Sequence, residues 1–152
     1  MGGSPNIKDR PYLLEASIQL ASELALVGAA RRFVDQAVAD WGLDPIRNEA
    51  RLITSELSAN AVLHARTDFG VTLRSDGLDY LRIEVRDENS RMPSSGAPRQ
   101  DALSGRGLLI VDGLATCWGT ELDGGGKMVW AEIGRRALSR TDKGSGVRDF
   151  AR

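Results

Sequence analysis

The spacing of apolar residues changes period several times along this chain, and each change marks an element. Leu14, Ala16, Ile18 and Leu20 alternate with polar neighbours, which predicts a strand over residues 12–20, with helix as the other reading of so short a run. From about Glu23 the period lengthens. Ala30, Phe33, Val34, Ala37, Val38 and Trp41 fall on one helical face, with Arg31, Arg32, Asp35 and Gln36 outside it, and Gly42 supplies a stop. Asp44-Pro45 reads as an N-cap followed by proline at the first helical position, so a second helix is predicted to run to about Ala65. Residues 70–74 and 78–87 form two strands around Ser75-Asp76-Gly77. In the second, Leu81, Ile83 and Val85 alternate with Arg82, Glu84 and Arg86, the signature of a strand with one wet face. Two last strands, over 116–122 and 127–133, flank a hairpin turn at Asp123-Gly124-Gly125-Gly126.

Between them, residues 88–104 are rich in Ser, Pro, Gly, Arg and Asp and nearly devoid of apolar side chains, and a helix follows from about Gly107 to Leu114. A loop this long inside a compact domain is more often functional than idle. The order of elements predicts an α+β fold in two layers, a mixed, mostly antiparallel sheet with helices on one face. One domain over residues 12–134 accounts for the pattern, with a flexible leader over 1–11 and a polar, disordered tail over 135–152.

Composition narrows the function. With 152 residues, 20 basic and 21 acidic, the chain carries a net charge of −1, without the basic excess expected of a direct nucleic-acid binder. A single cysteine, Cys117, excludes an internal disulfide framework and fits a reducing compartment. No stretch approaches the roughly 18 apolar residues of a membrane span. The first residues show neither a signal-peptide layout nor a myristoylation signal. The expectation is a cytoplasmic protein with no membrane contact.

The candidate chemistry lies in three separated segments. On the second helix, a rotation of about 100° per residue places Ile46, Ile53, Leu57 and His64 on the core side and Arg47, Arg51, Ser55 and Ser58 away from it. Asn60 falls within roughly 20° of Ile53, with Glu56 beside it at the edge of the apolar face. Two polar groups pointing partly inward need partners, either a local hydrogen-bond network or a ligand. Asp87 shares the parity of Leu81, Ile83 and Val85, so it faces inward at the end of its strand, where it can accept from an exocyclic amine or start an Asx turn. Taken alone, Asp87 fits the Asx turn better. Gly105-Arg106-Gly107 precedes an apolar helix, where glycines let a backbone approach a ligand and the helix N-terminus offers N–H groups to phosphate. The segment lacks the third glycine of a dinucleotide fingerprint, since Ile110 stands there, and the chain has no P-loop. His64, the only histidine, reads as a satisfied core residue. Cys117 cannot build a structural zinc site with it. Trp41, Trp118 and Trp130 read as packing residues, with Trp118 near the pocket as the alternative. Arg31-Arg32 and Arg135-Arg136 read as solvated surface.

Taken together, these segments resemble the GHKL ATPase/kinase superfamily with its Bergerat ATP-binding fold, and within it the bacterial anti-sigma-factor serine/threonine kinases. Glu56 and Asn60, within Glu56-Leu57-Ser58-Ala59-Asn60-Ala61-Val62-Leu63-His64-Ala65, match the N-box; Asp87 matches the first glycine box; residues 88–104 match the lid; and Gly105-Arg106-Gly107-Leu108 matches the second glycine box. Trp118-Gly119 and Gly126-Lys127-Met128-Val129-Trp130 look like the anti-sigma branch, and the resemblance covers roughly residues 22–133. It implies ATP and Mg²⁺ as cofactors. Asn60 would hold the metal, Glu56 would be the catalytic base, Asp87 would bind the adenine amine, and Gly105, Arg106, Gly107 and Leu108 would contact phosphate. It also implies a sigma factor and a STAS-type anti-anti-sigma protein as partners, and a homodimer is compatible with it. A nucleotide-responsive binding module without kinase activity is the alternative. Asn89 and Arg91 stand where the first box usually has glycines, and Met128 where the last strand often has threonine.

Overall fold

A computed structural model of the chain describes residues 12–89 and 101–134, with the side chains of 101–107 outside that description. The expected leader, the tail and most of the expected lid lie outside the described residues. The elements run β1 (Leu14–Leu20), α1 (Ala25–Asp40), α2 (Arg47–Asn60), β2 (Phe69–Ser75), β3 (Tyr80–Asp87), α3 (Asp101–Leu114), β4 (Cys117–Asp123) and β5 (Gly126–Gly134). A 3₁₀ turn at Asp44–Ile46 leads into α2, and a π-helical turn at Ala61–Ala65 follows it. The five strands lie in the order β1-β2-β3-β5-β4. Every pairing is antiparallel, so the expected parallel admixture is absent among the described strands. Hairpins supply two of these pairings, β2–β3 and β4–β5, whereas α1 and α2 intervene between β1 and β2, and β4 lies at the edge beyond β5 because the connection through α3 passes over the position that β5 takes.

Alternation along the strands sends one set of side chains to the helices. Phe69, Val71 and Leu73 of β2, Leu81, Ile83 and Val85 of β3, and Val129, Ala131 and Ile133 of β5 pack there against Val27, Ala30, Val34 and Val38 of α1 and Ile53 and Leu57 of α2. Trp41, Trp118 and Phe33 are partly buried against this core. The end of α1 follows the expected glycine stop. Gly42 takes φ +70°, its N–H donates to the Ala39 carbonyl, and the Leu43 N–H donates to that of Val38, a Schellman closure.

The second helix departs from its expected wheel in three ways. Asp44 does not cap it; Asp44 lies inside the 3₁₀ turn with Pro45, and no side chain caps either start. Ser58 does not point away. It is fully buried with Thr54, because α1 lies on that flank, as the Arg31–Ser55 hydrogen bond and the pairing of Arg47 and Arg51 with Asp35 show. A helix flanked by two neighbours and a sheet has more than one buried direction, which a single apolar stripe cannot express. The Thr54 and Ser58 hydroxyls have no hydrogen-bond partner among the described residues. Third, His64 is exposed rather than on the core side. The π turn closes i→i+5 bonds, seen in the Arg66 N–H donating to the Ala61 carbonyl, so each residue advances by less than 100° and the phase slips. Arg66 ends the segment in the left-handed region at φ 60°.

The opposite face of the sheet carries a buried polar layer instead of a wet surface. Glu132, 2% exposed, accepts from Tyr80 Oη at 2.7 Å, Arg82 Nη1 at 2.7 Å and the Cys117 thiol at 3.0 Å. Arg82 also donates to Glu84 at 2.6 Å and stacks 4.5 Å from the Trp130 ring. Burial, and then hydrogen bonding to Glu132, pushes the Cys117 thiol well above its ordinary range, and burial, with hydrogen bonds to Tyr12 and then Glu132, does the same to the Tyr80 hydroxyl. Burial lowers the pKa of Arg82, but its hydrogen bonds to Glu84 and Glu132 outweigh that and hold it charged.

Candidate functional site

Antiparallel register assembles one end of the sheet. Asp87, the last residue of β3, is the direct cross-strand partner of Phe69 on β2 and of Lys127 on β5. The next row inward is Val71, Val85 and Val129, an apolar approach to a carboxylate that is only 3% exposed. The chain leaving the π turn ends at the same place. Asn89 donates its side-chain amide to the Ala65 carbonyl, and the Glu88 N–H donates to Thr67 Oγ1. The C-terminal end of α2, which carries Glu56 and Asn60, is thus drawn to the end of β3 where Asp87 lies.

Asp87 itself does two things. Its Oδ1 accepts from the Asn89 N–H at 2.8 Å, an Asx turn, which is the bland half of the sequence reading. Its Oδ2 pairs with Lys127 Nζ at 2.9 Å, and both side chains are buried. Lys127 also reaches the Asn89 carbonyl at 3.5 Å. Each carboxylate oxygen can accept twice, so one position remains on each. Sequence reading passed over Lys127. In the sequence it figures only as part of the segment Gly126 to Trp130, with no role of its own, and its importance follows from a register that no local pattern reports. Gly126 beside it is required by close approach: a Cβ there would overlap the Asp87 carbonyl oxygen.

Glu56 and Asn60 are both half-buried, one above the other on α2. Neither has a hydrogen-bond or ion-pair partner among the described residues, in contrast to Asn89, Asp112 and Asp87 around them. Among the described residues, the local network that would have explained them is absent. Among the described residues no cluster of three or more His, Cys, Asp or Glu could hold a metal unaided. A single amide oxygen from Asn60 nonetheless suits Mg²⁺, which keeps waters and takes phosphate oxygens for the rest of its shell.

The second glycine segment is placed differently from expectation. The α3 helix begins at Asp101, so Gly105, Arg106, Gly107 and Leu108 lie within its backbone rather than ahead of it. Asp101, Ala102 and Leu103 can be helical, and the helix extends through both glycines despite a propensity cost of about 1 kcal/mol each. The expected helix N-terminus at Gly107 is therefore not formed. Leu108 is half-exposed, Val111 is buried, and Trp118 donates its indole N–H to Asp112 at 3.1 Å, tying α3 to β4 below it. The fit to a nucleotide thus rests on Glu56 and Asn60, which have no partner among the described residues, and on Asp87, which keeps one accepting position on each oxygen beside Asn89 and Lys127. Among the described residues no helix is long and apolar enough to cross a membrane.

No curated protein matches the chain. A model of the histidine kinase-like ATPase domain matches residues 20–133, from the end of β1 to the end of β5. That span covers most of the chain and includes every element around Asp87, so the protein belongs to the histidine kinase-like ATPase domain family, the GHKL type of ATP-binding fold.

Proposed function

We propose that the protein is a Mg²⁺-ATP-dependent serine/threonine kinase of the anti-sigma type, acting in the cytoplasm on an anti-anti-sigma protein and holding a sigma factor inactive. The observation that carries the site reading is the pair Glu56 and Asn60, half-buried on one helix face without protein partners among the described residues. In this reading Asn60 would hold Mg²⁺ through its amide oxygen. The metal held there would supply charge neutralisation at the phosphates. Asp87 accepts from the base, and Glu56 takes the proton of the Ser or Thr hydroxyl as its oxygen attacks the γ-phosphorus and ADP leaves. The anti-sigma branch rests on the resemblance of Trp118-Gly119 and Gly126 to Trp130.

Calorimetric titration with Mg-ATP and transfer of labelled phosphate to candidate antagonists test the proposal. Glu56→Gln keeps nucleotide affinity within a few-fold and lowers transfer by roughly 10²–10⁴, whereas Asn60→Ala weakens Mg²⁺-dependent binding and transfer together. A Glu56→Gln protein with unchanged transfer removes Glu56 from the role of base.

A second reading has its own observation. Gly105 and Gly107 lie inside α3 rather than in a loop open to phosphate, which favours a nucleotide-responsive partner-binding module. Wild-type protein that binds ATP but transfers phosphate to no antagonist supports it.

A further inference from the structure

The Asp87 carboxylate of the candidate site is one half of a buried pair. Lys127 Nζ is 2.9 Å from Asp87 Oδ2, and the two residues face each other across β3 and β5 on the helix side of the sheet. They are 8% and 3% exposed. An ammonium has three N–H donors, and two of them are directed at Asp87 and at the Asn89 carbonyl. One donor remains on Lys127, and one acceptor position remains on each oxygen of Asp87. Side by side they present a donor and an acceptor toward any base seated above Val85 and Val129.

This matters for which purine is admitted. A lone carboxylate selects adenine, because it accepts from the 6-amino group but would set its own lone pairs against the 6-oxo group of guanine. An adjacent ammonium removes that penalty. The 6-oxo group accepts from Lys127, while N1–H and the 2-amino group of guanine donate to Asp87. Adenine is served by the same two side chains in the other sense, its 6-amino group donating to Asp87 and its N1 accepting from Lys127. We propose that Asp87 and Lys127 read the base as a pair, so that Lys127 is a specificity-determining residue and the pocket takes guanine nucleotides alongside adenine nucleotides. This inference rests on the nucleotide reading of the site and adds the base specificity to it.

The test is calorimetry on the full chain with Mg²⁺ and ATP, GTP or inosine triphosphate, the last carrying the 6-oxo group without the 2-amino group. Wild-type protein binds all three with Kd values within about ten-fold of one another. Lys127→Met keeps much of the aliphatic stem and removes the donor. It takes a donor from adenine N1 and from the 6-oxo group alike, but only the 6-oxo purines are then left with an acceptor beside the bare Asp87 carboxylate, so GTP and inosine triphosphate weaken relative to ATP by about ten- to a hundred-fold. Removing Lys127 leaves Asp87 buried without its cation, so circular dichroism checks that the variant folds, and the wild-type series needs no variant at all. ATP binding with both 6-oxo nucleotides at least a hundred-fold weaker in the wild type overturns the base assignment and leaves the nucleotide site standing. So does a folded Lys127→Met protein with an unchanged GTP-to-ATP ratio. Binding of none of the three overturns both readings.

Discussion

Replacing Glu132 by Gln tests whether the polar layer on the outer face of the sheet holds the fold together. The carboxylate is 2% exposed and accepts from Tyr80, Arg82 and Cys117. Glutamine fills the same space but keeps only one acceptor oxygen, and its NH₂ group meets donors. Breaking a buried ion pair outright costs about 3–5 kcal/mol. Arg82 is not left bare, because Glu84 still accepts from its Nε at 2.6 Å and Trp130 still stacks beneath it. The loss therefore falls at the lower end, about 3 kcal/mol, close to one charge-assisted hydrogen bond plus one misplaced donor. Urea unfolding followed by tryptophan fluorescence and far-ultraviolet circular dichroism measures it, with an unchanged slope in denaturant. In a thermal melt the same loss lowers Tm by about 10 °C. Glu132 lies on the face opposite Asp87 and Lys127, so nucleotide affinity in the folded variant stays as in the wild type. A loss below about 1 kcal/mol refutes the reasoning, since it means that the layer is solvated and its charges are worth no more than a surface pair.

Alkaline pH destabilises the protein through the same layer. Burial raises the folded-state pKa of Cys117, so its contribution is complete below the unfolded value of about 8.5 and is lost above it at about 1.4 kcal/mol per pH unit, with Tyr80 adding to the slope above about pH 10. Urea midpoints between pH 7.5 and 9.5 fall in the wild type and stay level in Cys117→Ala; a level wild-type profile contradicts the burial of the thiol. Thr54→Val replaces an unpartnered buried hydroxyl by a methyl group and raises stability by about 1 kcal/mol, whereas a loss of that size shows that the hydroxyl has a partner. Gly126→Ala forces a methyl group into the Asp87 carbonyl and costs about 3 kcal/mol while weakening nucleotide binding, because strand register and pocket floor shift together. Wild-type stability and affinity in that variant mean that the two strands do not approach as closely as described.

Much of this architecture is local, and local features are what a sequence displays. The alternation of Leu81, Ile83 and Val85 with Arg82, Glu84 and Arg86 sets the two faces of β3 and gives Asp87 its inward direction, because a strand has a period of two wherever it lies. Gly42 ends α1 because only the residue at that point needs φ +70°, and glycine adopts it without a Cβ clash. Glu56, Asn60 and Asp87 were legible as polar residues where a core would want apolar ones. The tertiary structure decided the rest, since the rest depends on neighbours distant in sequence. Placing β5 between β3 and β4 brings Lys127 onto Asp87, 40 residues away, and turns a lone carboxylate into a pair. Docking α1 against α2 buries Ser58 and Thr54, and the π turn after Asn60 carries His64 out of the core. The outer face of β3 reads as wet because charged residues alternate there. Arg82 and Glu84 are nonetheless largely buried, because Glu132 and Cys117 arrive from β5 and β4 to join Tyr80 and satisfy those charges, while Arg86 at the end of the strand stays partly exposed; burial of a charge is decided by its partners rather than by its own identity.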